Sequence, residues 1–434
     1  MDIFKKVFKS NFAKNIMIIA SGTASAQLLT AALSPVITRI YSPEDYGVLT
    51  VYIAILSLFS IGALMYEKAI PISENEHIAT NVLALSILAL ISYSTLAMFV
   101  IFFLRMTSLF GEFLYNYGFL IPVGIFMVGL FSIFKQWAFR YKNFKLISAT
   151  TITQSVWGNT FKIVFGLLNL GPLGLLLGSI INQSSGVLRL SKQLVPRRKI
   201  LFNNIEIKEI IKAMKRYKGF PMYNVPVYFI RMLSDRLPII FITLFFGLTV
   251  SGLYGLAFTI VKMPLNLLGN SVGNVFYAEA ASIAKTNPKR LRNLSNKLIG
   301  KLLVLGLIPF LILVIFGPFL FGLIFGRAWE EAGVYARIIA IMLLFSLVFS
   351  PISRVYEIYE KQRLSLVLNV IQIILILIVF TISLIFNFNS YLAIFLYAIV
   401  KSVMSFVIYI IAQKLINKEI ETKNIADCKI KLDT

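Results

Sequence analysis

The stretch 217–246, YKGFPMYNVPVYFIRMLSDRLPIIFITLFF, constrains this chain more than any other. It is apolar over more than the ~20 residues a helix needs to cross a bilayer. Yet Arg231, Asp235 and Arg236 sit near its middle, and Pro221, Pro226 and Pro238 lie along it. A charge at the bilayer centre costs about 2.5–3.5 kcal/mol on insertion scales, so such residues face a partner or water. Asn224, Tyr228, Arg231 and Asp235 follow at helical spacing, on one face. Two readings are open. Arg231 and Asp235, one turn apart, can neutralise each other as a structural pair, which leaves Arg236 about 100° away. Alternatively, the stripe walls a water-filled cavity that receives an anion.

Apolar residues make up 58% of the 434 positions, above the ~45–50% of soluble chains, so the expected class is an all-α polytopic membrane protein. The net charge of +23 then reads as basic loops that set topology and touch anionic lipid, with no nucleic-acid partner. One cysteine, Cys428, and one histidine, His77, exclude an internal disulfide and a cysteine metal cluster. No metal and no cofactor are expected. Residues 3–9 alternate Phe4, Val7 and Phe8 with Lys5, Lys6 and Lys9, a short amphipathic turn for the membrane surface.

Twelve transmembrane helices are expected, at about 15–38, 47–70, 79–104, 115–138, 146–168, 173–192, 217–246, 252–278, 298–323, 333–356, 364–386 and 391–416. With the N-terminus in the cytoplasm, 33 of the 42 Lys and Arg fall in inner segments. Only Arg39, Arg105 and Arg327 are outside, which predicts both termini cytoplasmic. The outer loops are too short to hold a catalytic lobe.

A basic linker, 193–216, divides the chain into an N-terminal six-helix bundle (1–192) and a C-terminal one (217–416), followed by a cytoplasmic tail (417–434). Ile207, Ile210, Ile211 and Met214 give the linker a surface helix. The halves echo each other: Gly47-Val48-Leu49 matches Gly252-Leu253-Tyr254, and Leu109-Phe110-Gly111 matches Ile324-Phe325-Gly326. Six spans per half make the repeats parallel, with the substrate site near the midplane between them.

Two further helices carry polar stripes. Span 1 has Thr23, Gln27, Thr30, Ser34 and Thr38, ending at Pro35 and Arg39; span 8 has Lys262, Asn266, Asn270 and Asn274. Small and polar residues also join membrane helices, as do Gly174-x-x-x-Gly178 and Gly269-x-x-x-Gly273. Lys162, Arg231, Arg236, Lys262, Arg337 and Lys401 lie within spans, faced by only Asp235 and the inner-end Glu279. That surplus favours an anion such as a phosphate. The candidate substrate-binding residues are therefore Arg231, Arg236, Lys262, Arg39, Asn266, Asn270, Gln27 and Lys401, with Asp235 as the candidate for ion coupling.

Three stretches carry a resemblance: Leu33–Leu49 (LSPVITRIYSPEDYGVL), Ser234–Ile240 (SDRLPII) with Ser251–Ala257 (SGLYGLA), and Phe139–Phe144 (FRYKNF). With the 6+6 plan they resemble the polysaccharide-exporting branch of the multidrug/oligosaccharidyl-lipid/polysaccharide flippase superfamily, closest to Wzx-type O-antigen or capsule repeat-unit flippases. The resemblance implies a MATE-like V of two bundles around a central cationic cavity. It implies alternating-access transfer of an undecaprenyl-pyrophosphate-linked oligosaccharide across the bacterial inner membrane. It also implies membrane lipids, a polysaccharide polymerase and a chain-length regulator as partners. Arg39 falls in the family's Pro-x-x-x-Arg pattern (Pro35–Arg39), and Asp235–Arg236 in its Asp-Arg pattern. Span 1 has no basic residue between Lys14 and Arg39, unlike the lipid II branch. Alternatives are a drug or cation antiporter, which would want acidic residues deep in the first half, and a membrane glycan polymerase or ligase, which would want a long external loop.

Overall fold

Apolar runs closed by glycine, proline and charged turns fold as helices throughout the described residues. The computed structural model describes residues 11–106, 111–197, 204–284 and 286–432, and holds fourteen α-helices and no strand among them. They are α1 (Asn11–Ile40), α2 (Pro43–Leu58), α3 (Glu76–Leu104), α4 (Gly111–Tyr117), α5 (Leu120–Arg140), α6 (Phe144–Leu167) and α7 (Pro172–Ser191). Then follow α8 (Ile207–Arg216), α9 (Val225–Ile283), α10 (Pro288–Phe325), α11 (Glu330–Phe349), α12 (Val355–Ile358), α13 (Gln362–Ile385) and α14 (Ser390–Leu432). The all-helical expectation holds. The amphipathic turn at 3–9 lies outside the described residues.

Eight stretches of the described residues are long and apolar enough to cross a membrane, and one of them, Phe220–Leu265, joins nearly all of the expected span 217–246 to the start of the next. The expected twelve are thus not reproduced one for one. Helix α2 has only 16 residues, about 24 Å of rise. Helices α6 and α7 carry Thr, Gln, Asn and Ser, which lower their hydropathy.

Two compact units divide the chain, Met1–Gly252 and Leu253–Thr434. In the first, the Ser-Pro-Glu-Asp sequence starts α2 with a capping box. The Ser42 hydroxyl accepts from the Asp45 amide at 3.1 Å, and the Asp45 carboxylate accepts from the Ser42 amide at 2.9 Å. Tyr52, Ile121, Ile125, Leu175 and Leu176 close a core beneath it.

Gly47 and Gly252, matched in the sequence as repeat positions, meet in space. A Cβ on Gly47 would stand 2.0 Å from the Leu248 carbonyl oxygen. One on Gly252 would stand 1.8 Å from that of Pro43. Only glycine allows two backbones so close. Gly247 breaks α9 between the expected spans 7 and 8 with φ +84° and ψ 178°, a conformation closed to residues with a Cβ. Pro226 and Pro238 are accommodated within α9, while Pro221 lies in the π-turn Phe220–Asn224 just before it.

In the second unit α10 and α11 cross at Gly317 and Gly333. A Cβ on either would come within 2.7 Å of the other's carbonyl oxygen. Pro318 sits inside α10 without a backbone donor of its own, and Arg337 of α11 donates to the nearby Ile315 carbonyl at 3.2 Å. That bond gives Arg337 a structural partner.

Candidate functional site

The polar stripe of α1 divides. Thr23, Thr30, Ser34 and Thr38 each return a hydroxyl to a carbonyl three or four residues back. Thr30 also reaches α6: its hydroxyl lies 2.9 Å from that of Ser155 and accepts from the Asn159 amide at 3.1 Å. Ser155 donates to the Ala26 carbonyl at 2.8 Å. This is a seam between two helices, closed on itself. Gln27, on the same stripe, is different: its Oε1 is buried and has no hydrogen-bond partner. Arg39 is exposed at the end of α1, about 18 Å along the helix from Gln27, so the two do not meet.

The stripe of α9 is anchored at Tyr228, whose hydroxyl lies 2.8 Å from that of Ser60. One turn on, Arg231 is exposed and has no ion pair among the described residues. Arg231 therefore does not form the structural pair with Asp235 that its spacing allowed. Asp235 is exposed too. Arg236 is half-buried, with a buried Nε that has no hydrogen-bond partner. A buried donor left unmet costs about 1–3 kcal/mol.

Within the second unit Lys262 lines a cavity of roughly 130 Å³ with Gly269, Gly273, Ser346, Ser350 and Arg354. Its ammonium also stands 4.6 Å from the centre of the Phe258 ring. A Cβ on Gly269 or Gly273 would meet nothing within 4 Å. This small-residue pair holds no helix close and leaves open space instead. Gly174 and Gly178 behave as expected of packing: their would-be Cβ atoms press on the Tyr41 hydroxyl and the Lys162 stem, both at 2.4 Å. The side chains of Asn266 and Asn270 lie outside the described residues. Lys401 is half-buried on α14 and is not among the cavity's lining residues.

Arg354 and the two serines were not among the sequence candidates. Arg354 looks like an ordinary inner-end cation, and it does pair with Glu357 at 3.0 Å. A faint signal was present in Ser346 and Ser350, one turn apart at the end of an apolar helix.

The cavity holds two cations and two hydroxyls among apolar helices. The polysaccharide biosynthesis protein family matches residues 36–334, and the chain belongs to it. Its fold is that of known transporters. It superposes on an inward-facing multidrug resistance MATE family transporter of the MOP superfamily with TM-score 0.68 and 14% identity, covering 91% of this chain and 96% of that one. For the lipid II flippase MurJ in an inward closed conformation the TM-score is 0.69 at 13% identity, covering 92% of this chain and 87% of that one. For a MOP superfamily transporter from Pyrococcus furiosus it is 0.61 at 13% identity, covering 95% and 98%. No curated protein matches the sequence. The solved proteins that share this fold are membrane transporters and a flippase.

Proposed function

We propose that this chain flips an undecaprenyl-pyrophosphate-linked oligosaccharide repeat unit across a bacterial inner membrane, for O-antigen or capsular polysaccharide synthesis. Arg231, Arg236 and Lys262 supply the positive charge that the pyrophosphate meets during passage. Gln27, Arg39, Asn266, Asn270 and Lys401 offer further polar contact, chiefly to the sugars. The polyprenyl tail remains in lipid. Both termini are cytoplasmic, and the functional halves are 1–192 and 217–416, joined by the basic linker.

The observation that carries this reading is the unneutralised charge: Arg231 has no ion pair among the described residues, and Arg236 keeps an unmet buried donor. Arginine is suited to phosphate because its planar fork matches phosphate oxygens. The lipid II flippase MurJ has a similar fold, and the family is one of polysaccharide biosynthesis, both of which support this reading. In cells that depend on this chain for surface glycan, the triple substitution Arg231→Ala, Arg236→Ala and Lys262→Ala is expected to abolish the glycan while the protein remains inserted at normal abundance. Undiminished surface glycan in that strain would refute the assignment of these residues.

A further inference from the structure

Among the described residues, Glu67 is the one buried charged side chain, 6% exposed. It lies in the 3₁₀ turn Tyr66–Ala69 between α2 and α3. Two non-glycine residues with positive φ lead into that turn, Leu64 at +50° and Met65 at +60°, a conformation such residues seldom adopt. Something must hold the turn in place, and α5 does so. Arg140 donates to the carbonyls of Ile70 at 2.9 Å and Ser73 at 2.7 Å. Tyr66, Ala69 and Ile70 pack with Ile133, Trp137 and Tyr217 in an apolar cluster around it.

The carboxylate is poorly met. Ser132 of α5 donates to Oε1 at 3.2 Å, while Oε2 is buried with no partner. No cation pairs with it among the described residues. Its neighbour Lys68 is exposed. On α5, Lys135 holds its ammonium near the Phe131 and Phe139 rings at 5.8 and 6.0 Å, and Arg140 is engaged by the two carbonyls. At the start of α3, Glu76 accepts from the Tyr141 hydroxyl, and His77 stands 3.8 Å from Glu206. The π-turn Phe220–Asn224 brings no charge, and its Tyr223 is exposed. Burial of the carboxylate outweighs the help it receives from its own backbone amide, the nearby charge of exposed Lys68 and the Ser132 hydroxyl, so the neutral acid is favoured there more than in water.

We propose that Glu67 is a proton-binding site of the first unit. Its carboxylate takes a proton from water when the turn packs as seen here, and returns it to water when the turn opens. The charge removed is the one the apolar cluster cannot solvate, so proton binding favours the closed turn. This proposal does not depend on what the protein carries.

The test uses the full-length protein in lipid nanodiscs, with infrared difference spectra recorded as pH is raised from acid to alkaline. The expected result is the loss of a protonated-carboxyl carbonyl band that is absent from Glu67→Gln at every pH. Glu67→Gln keeps the shape and removes the charge, so its melting temperature is expected to vary less with pH than that of the parent. Ser132→Ala removes the hydrogen bond that favours the charged form, and is expected to move the titration to more alkaline pH. A parent spectrum with no such band, or a band that persists in Glu67→Gln, overturns the proposal. If Glu67→Gln does not fold, an unmoved titration in Ser132→Ala overturns it.

Discussion

The first unit around α1, α2 and α6 and the second unit around the end of α9 and α11 are written in the same residue types, and they end up opposite. In the first, glycines press on backbone and polar side chains bond to one another: Gly47 against Leu248, Gly252 against Pro43, Thr30 with Ser155 and Asn159. In the second, Gly269 and Gly273 face nothing within 4 Å, and Lys262, Ser346, Ser350 and Arg354 line a space. Small and polar residues one turn apart thus have two uses in a membrane protein. Opposed by another helix they are a joint; unopposed they leave open space. Periodicity identifies the face and does not say what lies across it.

This contrast can be broken from the filled side first. Gly252→Ala puts a carbon 1.8 Å from the Pro43 oxygen, so the backbones must part. The expected cost is at or beyond the upper end of the ~1–3 kcal/mol typical of overpacking. The readout is loss of monodisperse protein on detergent extraction, and a stable, well-behaved Gly252→Ala would mean the crossing is looser than described. Asn159→Leu comes next. It strips partners from Thr30 and Ser155, with an expected loss of about 1–3 kcal/mol seen as a lower melting temperature. Glycan export per inserted molecule should hold, because the seam is a joint. The smallest effect is expected from Gly273→Ala, within about 0.5 kcal/mol of the parent, since the added methyl enters open space. A large destabilisation there would show that the open region closes on a neighbour.

Much of the architecture was legible in the sequence. Hydropathy marked the helices, and the Ile207–Met214 spacing marked α8. The matched Gly47 and Gly252 were recognised as equivalent, but that they touch each other depends on how two distant segments cross, which no local pattern records. The span count was less secure because α2 is short and α6 and α7 are polar where they pack, so hydropathy understates them. The candidate site was half visible. Arg231 and Arg236 stood out because a charge in a span is costly. Arg354, Ser346 and Ser350 did not, because they lie towards the end of a helix, where such residues are ordinary. Glu67 was passed over for the same reason: burial of a turn comes from the packing of α5 and the Tyr66–Tyr217 cluster, and nothing in the turn's own sequence announces it.

Arg231, Arg236 and Lys262 can be examined without any assumption about the sugar. Purified protein in nanodiscs would be titrated with undecaprenyl pyrophosphate and, separately, with the uncharged undecaprenol, following binding by a label on the lipid. The parent is expected to prefer the pyrophosphate, and the triple alanine variant to lose at least tenfold in that preference while binding the alcohol as before. Equal discrimination by parent and variant would contradict the claim that these three residues receive the phosphate.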